Sequence, residues 1–170
     1  MTMSNKIEEI HGMPLTQIIK SWMVKEGWND ELEIDIDTST SRISTKMRIE
    51  DQSYRLYIDV NEQQKTIDLY LYTPFDVPPK RHDAMAIILN QVNYRNAAGR
   101  FGFNYDRTAN PVQYLLRIDA EYSQPTLNQI SYSLSQACTN AGRFHQLLAA
   151  TAMTELDANE LWGDFDTDNS

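Results

Sequence analysis

The apolar positions change period several times along the chain, and each change marks an element. From Pro14, which can open a helix at its first turn, Leu15, Ile18, Ile19, Trp22 and Met23 recur at three-and-four spacing, and Gly27 is placed to end the run. At Glu31 the period drops to two. Leu32, Ile34 and Ile36 alternate with Glu31, Glu33, Asp35 and Asp37, which predicts a half-buried strand. After a turn at Thr38 to Thr40, Ile43, Thr45, Met47 and Ile49 face inward and Arg42, Ser44, Lys46 and Arg48 outward. Across a hairpin those bases oppose the acids of the first strand. Two more strands follow, Tyr54 to Val60 and Thr66 to Tyr72, with Leu56, Ile58, Val60, Ile67, Leu69 and Leu71 inward and Arg55, Tyr57, Tyr70 and Tyr72 outward.

Pro74, Pro78 and Pro79 cannot continue a sheet ladder and predict a rigid exit from it. A second helix runs from about Arg81 to Ala97 with Met85, Ile88, Leu89 and Val92 on one stripe, and Gly99 is expected as its left-handed cap. Phe101, Phe103 and Tyr105 alternate next, residues 106 to 111 turn the chain, and Val112, Tyr114, Leu116 and Ile118 predict a returning strand. Thr126 and Gln129 have the spacing of a capping box for a third helix buried through Leu127, Ile130, Leu134, Cys138 and Ala141, with Gly142 expected to break or bend it. Beyond Thr154 no regular apolar period is read. The predicted fold is α+β, in the order α-β-β-β-β-α-β-β-α, with helices packed on one face of an antiparallel sheet. Residues 1–13 are expected to be a flexible N-terminus, 14–154 a single domain and 155–170 an acidic, disordered tail.

Several local features resemble one family. They are the short helix ending Glu26-Gly27-Trp28, the proline exit Phe75-Asp76-Val77-Pro78-Pro79, the helix segment Leu89-Asn90-Gln91-Val92-Asn93, and Gly99-Arg100-Phe101 opening a hairpin that returns through Tyr114 to Asp119. From Leu15 to Leu148 the chain resembles the bacterial YbjN family, described as sensory transduction regulators, whose fold is similar to type III secretion chaperones. The resemblance implies a binding or chaperone-like protein of unknown client and carries over no catalytic residue.

Composition narrows the class further. With 41% hydrophobic and 23% charged residues over 170 positions, most of the chain should fold around one core. Cys138 is the one cysteine, which excludes a disulfide-stapled secreted domain. Residues 1 to 10 contain no apolar run and do not read as a signal peptide, and nowhere do about 18 apolar residues stand together, so a cytoplasmic address is expected. The net charge of −9 is concentrated: six of the 24 acids lie in residues 151–170 without Lys or Arg, leaving 18 acids against 15 bases before them. A mildly acidic folded part weighs against nucleic acid as a general partner.

Candidate chemistry is sparse. His11, His82 and His145 lack a second ligand at metal spacing, so neither a metal nor a cofactor is expected. Cys138 sits on an apolar stripe without a neighbouring base, as a core thiol does. Gly99 and Gly102 lie on a helix-to-strand path, the reverse of a phosphate loop. Asp164, Asp166 and Asp168 mimic the start of a calcium loop, but the glutamate due at its twelfth position does not follow. Residues 100–105, with Arg100, Phe101 and Phe103, partly echo the aromatic strand of RNA-recognition domains. Single-stranded RNA binding is therefore the alternative to the simpler reading of inward core aromatics. The leading expectation is a non-enzymatic protein-binding module, a homodimer, whose contact face bears Arg55, Tyr57, Tyr70, Tyr72 and Arg117. A second expected contact is the acidic-aromatic tail peptide carrying Leu161, Trp162 and Phe165, which would fold into a partner's groove.

Overall fold

Pro14 sets the first turn of helix α1 (Pro14–Glu26), and two amides that the turn leaves unpaired are taken by a distant carboxylate. Leu15 N and Thr16 N donate to Glu62 at 3.2 and 2.7 Å. Gly27 closes the helix in the left-handed conformation, as its position predicts, and Leu15, Ile19, Trp22 and Met23 are buried along one side. The structure, a computed structural model, describes residues 12–168 apart from 97, 106, 108 and 110. Of the N-terminal segment expected to be flexible, residues 1–11 lie outside that description, whereas Met13 is buried against the core at the start of α1.

Strands β1 (Leu32–Asp35), β2 (Thr40–Ile49), β3 (Gln52–Asn61) and β4 (Thr66–Tyr72) form a meander. A 3-10 turn at Pro79–Arg81 leads into α2 (His82–Arg95), after which β5 (Arg100–Phe103) and β6 (Val112–Asp119) return as a hairpin. The sheet order is β1-β2-β3-β4-β6-β5 with every pair antiparallel, so β6 pairs with β4 and β5 is left at the edge. Helix α3 (Leu127–Met153) crosses the inner face. Its first turn carries the expected capping box, Thr126 Oγ accepting from Gln129 N while Gln129 Oε accepts from Thr126 N. Ile43, Leu56, Ile58, Leu69, Leu71 and Tyr114 fill the space beneath it. This is the predicted α+β arrangement with one helix more.

Three local expectations are corrected by packing. Helix α2 ends on Asn96 in extended geometry rather than on Gly99. Gly99 does adopt φ +69, but its side chain is excluded for another reason: a Cβ there would lie 2.5 Å from the Tyr114 hydroxyl and 2.6 Å from the Leu115 carbonyl. Gly142 does not break α3, which runs unbroken for 27 residues; a Cβ at this position would meet Ile49 Cγ2 at 3.1 Å, so the glycine lets helix and β2 approach. The tail, expected to be loosely held, forms helix α4 (Ala158–Asp168) against α2 and α3. Ala158, Leu161, Trp162 and Phe165 stand at i, i+3, i+4 and i+7, and this stripe turns inward, with Ala158 and Leu161 buried and the Phe165 ring 5.5 Å from Phe144. Arg81 ties the end of α3 to the link that follows, donating to the Thr151 and Leu156 carbonyls at 2.8 Å each.

Tyr54 and His145 join the sheet to α3 through a 2.6 Å contact between the Tyr54 hydroxyl and Nδ1 of His145. Burial holds the His145 imidazole below the usual histidine range, although the Glu50 carboxylate pulls the other way. A folded value below the unfolded one means that the neutral ring's contribution is whole above about pH 6.5 and is lost as pH falls through the folded value. Denaturant melts from about pH 7.5 down to about pH 5 should therefore show a loss of stability that His145→Gln reduces. Equal losses in both proteins would remove His145 as its source.

Candidate protein-binding face

The side of the sheet opposite the helices is built by the polar phase of each period-two strand. Antiparallel register aligns those residues in rows that run across the strands. One row reads Glu33, Arg42, Asp59, Asp68, Arg117 from β1 to β6; the next reads Ser44, Tyr57, Tyr70, Leu115, Arg100; the third reads Lys46, Arg55, Tyr72, Gln113, Gly102. The sequence-predicted residues Arg55, Tyr57, Tyr70, Tyr72 and Arg117 thus share one face. Among the described residues no helix covers it.

Two arginine–carboxylate forks anchor the first row. Arg42 Nε and Nη2 donate to Asp59 at 2.6 Å each, and Arg117 donates to Asp68 at 2.7 and 2.8 Å. Asp59 and Asp68 are directly opposed across β3 and β4, an unfavourable pairing that the two guanidinium groups neutralise. Hairpin register brings Arg42 opposite Glu33 as expected, but pairing with β1 stops at Ile43, so Lys46 and Arg48 meet none of its acids, and the Arg42 fork is made with Asp59 on the other flanking strand.

The tyrosines form the floor of the second and third rows. Tyr57 meets Tyr72 edge-on with centroids 5.6 Å apart, Tyr70 stacks on Tyr72 at 6.5 Å, and the Arg107 guanidinium lies 4.2 Å over the Tyr72 ring. Arg55 donates to the Tyr57 hydroxyl at 3.4 Å and holds its pKa below the ordinary tyrosine value, whereas burial, helped by Asp68 and Asp59, pushes Tyr70 up. Next to the floor is a shallow hollow of about 400 Å³, lined by Tyr57, Tyr70, Tyr72, Asn104, Arg107 and Gln113. Arg107 escaped sequence reading because it lies in a turn, where no periodicity marks it.

The remaining candidates lie elsewhere. Phe101 points into the core at 3% exposure, 4.9 Å from Tyr114, and Phe103 packs on His82 at 4.8 Å. Burial withdraws Phe101 from any base, as the reading of inward core aromatics expects, whereas Phe103 is half-buried. Asn93 holds that strand, accepting from Phe101 N at 2.7 Å and donating to Phe101 O at 2.9 Å. Leu161, Trp162 and Phe165 pack on the domain's own core rather than forming a free peptide. Arg95 pairs with Asp166 and lies 5.3 Å over the Trp162 ring. Cys138 is half-buried against Met47, and burial pushes its thiol up to about 11. Among the described residues no group of His, Cys, Asp and Glu could hold a metal ion, and no helix is long and apolar enough to cross a membrane.

Comparison with known proteins places this architecture. The family model of YbjN, "Putative bacterial sensory transduction regulator", matches residues 16–149. No curated protein sequence matches the chain. Among solved structures it is similar to YbjN, "a putative transcription regulator from E. coli", with a TM-score of 0.53 and 12% identity over 75% of this chain and 89% of that one. It is also similar to a chain of the ExsC-ExsE complex, with a TM-score of 0.50 and 14% identity over 87% of this chain and 97% of the other. At such identities the two structures attest the fold, while the family match spans most of the sequence: the chain belongs to the YbjN family.

Proposed function

We propose that this protein is a non-enzymatic binding module, a cytoplasmic adaptor or chaperone-like regulator, that takes another protein on its helix-free sheet face through Arg55, Tyr57, Tyr70, Tyr72 and Arg117. The observation that carries the proposal is the helix-free, half-exposed tyrosine floor flanked by arginines. Tyrosine offers large contact area at small entropic cost and arginine offers forked hydrogen bonds, which is why both concentrate where partners bind. A protein partner also suits the fold, since one similar structure is a complex of ExsC with ExsE. A second copy seated on this face would make the homodimer that the open sheet leads one to expect.

Affinity capture with the intact chain tests the proposal. Tyr57→Ala combined with Arg55→Ala should weaken capture of at least one protein about tenfold or more, because aromatic anchors carry much of the energy of such contacts. Tyr132→Ala, at an exposed position on α3, serves as the control and should leave capture unchanged. Equal capture by all three proteins would refute the assignment of this face. For the dimeric form, light scattering that returned 19.7 kDa across micromolar concentrations would exclude it.

A further inference from the structure

The tyrosine-bearing face is electrically two-ended along the strand direction. Towards the Thr40 end of β2, Glu33, Asp59 and Asp68 stand beside a further row that runs from Asp35 to Asp119. Towards the Lys46 end the rows hold Lys46, Arg55 and Arg100 and no carboxylate, and Arg107 lies above them on Tyr72. Lys46 and Arg55 face each other directly across β2 and β3, an arrangement of like charges that a sheet ordinarily avoids. Neither pairs with a carboxylate among the described residues: Arg55 donates to Tyr57, and the ion pairs on this side of the sheet are those of Arg42 with Asp59, Arg117 with Asp68 and, beyond Lys46 at the strand end, Arg48 with Asp51. The acidic end carries its own counter-charges in two forks. At the basic end Lys46, Arg55 and Arg100 have no ion-pair partner among the described residues.

We infer, building on the reading of this face as a partner site, that its ligand is an extended protein segment of block charge, with carboxylates at one end and lysines or arginines at the other. Its carboxylates lie against Lys46, Arg55 and Arg107, its cations lie against the acidic end, and apolar or aromatic residues between them cover the tyrosines. The rows from Thr40 to Lys46 are six residues apart, roughly 20 Å, which an extended segment of about six residues spans. Charge complementarity favours such a segment over nucleic acid, because evenly spaced phosphates that satisfied the basic end would continue onto Asp59, Asp68 and Glu33. The same polarity orients the segment, since the reverse direction sets like charges on both ends.

The test uses the full chain and a fluorescein-labelled peptide of about ten residues, aspartate-rich in one half and lysine-rich in the other with tyrosines between. The expected result is saturable binding that weakens with salt, and binding at least about tenfold weaker for a uniformly acidic peptide of the same length. Lys46→Glu with Arg55→Glu puts carboxylates at both ends of the face and should transfer preference to a uniformly lysine-rich peptide, a gain that misfolding cannot mimic. A single-stranded oligonucleotide or the uniformly acidic peptide binding as tightly as the block-charged one would overturn the inference. So would the absence of peptide binding, or a wild-type dimer that the double substitution turns into monomer. If the Tyr57 and Arg55 alanine variant loses its captured protein while the block-charged peptide fails to bind, the partner face stands and only its charge rule fails.

Discussion

Trp22→Ala is expected to lower the free energy of unfolding by about 3 to 5 kcal/mol, the range for removing a large aromatic from a packed core. Trp22 is 1% exposed in the middle of α1, and its ring lies 4.8 Å from that of Trp28. Its Nε1 donates to Ser131 Oγ at 3.0 Å, which fastens α1 to α3. Alanine would forfeit the transfer energy of the indole, leave a cavity between helix and sheet, and delete a bond that spans 109 positions of sequence. Trp22→Phe, which keeps much of the volume and loses only the N–H, should cost less than half as much. Denaturant melts measure both. A loss under about 1 kcal/mol for the alanine variant would mean that α1 is dispensable to the core.

Periodicity made α1 and the six strands legible because burial there is decided by neighbours along the chain. Leu56, Ile58 and Val60 could occupy one phase of β3 only by sending Arg55, Tyr57 and Asp59 to the other, so the composition of the outer face followed from the inner one. What periodicity cannot carry is the identity of the neighbour across a strand pair. Arg42 has Glu33 on one side and Asp59 on the other, and the choice between them rests on side-chain reach in three dimensions. For the same reason Gly99 looks like a helix cap in sequence, while its reason for being glycine lies in Tyr114 and Leu115 on another strand. Glu62 capping α1 and Arg81 closing α3 are likewise contacts between distant segments. The family match ends at residue 149, so the helix after it owes nothing to that resemblance.

That helix gives the second large effect: deletion of residues 155–168 should lower the melting temperature by about 5 to 15 °C, equivalent to about 2 to 4 kcal/mol. Counting carboxylates points to a free acidic tail, yet the apolar residues 158, 161, 162 and 165 have the spacing of an amphipathic helix, a signal that charge density concealed. On its own α4 is a poor helix. Gly163 lies inside it without a neighbour within 4 Å to demand a glycine, and Asp164 and Asp166 fall towards the end where the helix dipole disfavours acids. Its order therefore comes from docking. Leu161 is buried, Phe165 lies on Phe144 and Trp162 sits beneath Arg95, while the Arg95–Asp166 pair, exposed by a third or more on each side chain, adds little. Removal would bare the apolar surface between α2 and α3 and deprive Arg81 of its acceptor at Leu156. Trp162→Ala with Phe165→Ala should reproduce most of the loss, because without those rings the segment no longer offsets the entropy of ordering itself. Thermal melts of the truncated and doubly substituted chains decide the matter, and capture experiments on the same proteins separate two roles. Unchanged melting together with loss of a captured partner would make α4 a binding peptide, whereas early melting with capture intact makes it a strap that completes the core.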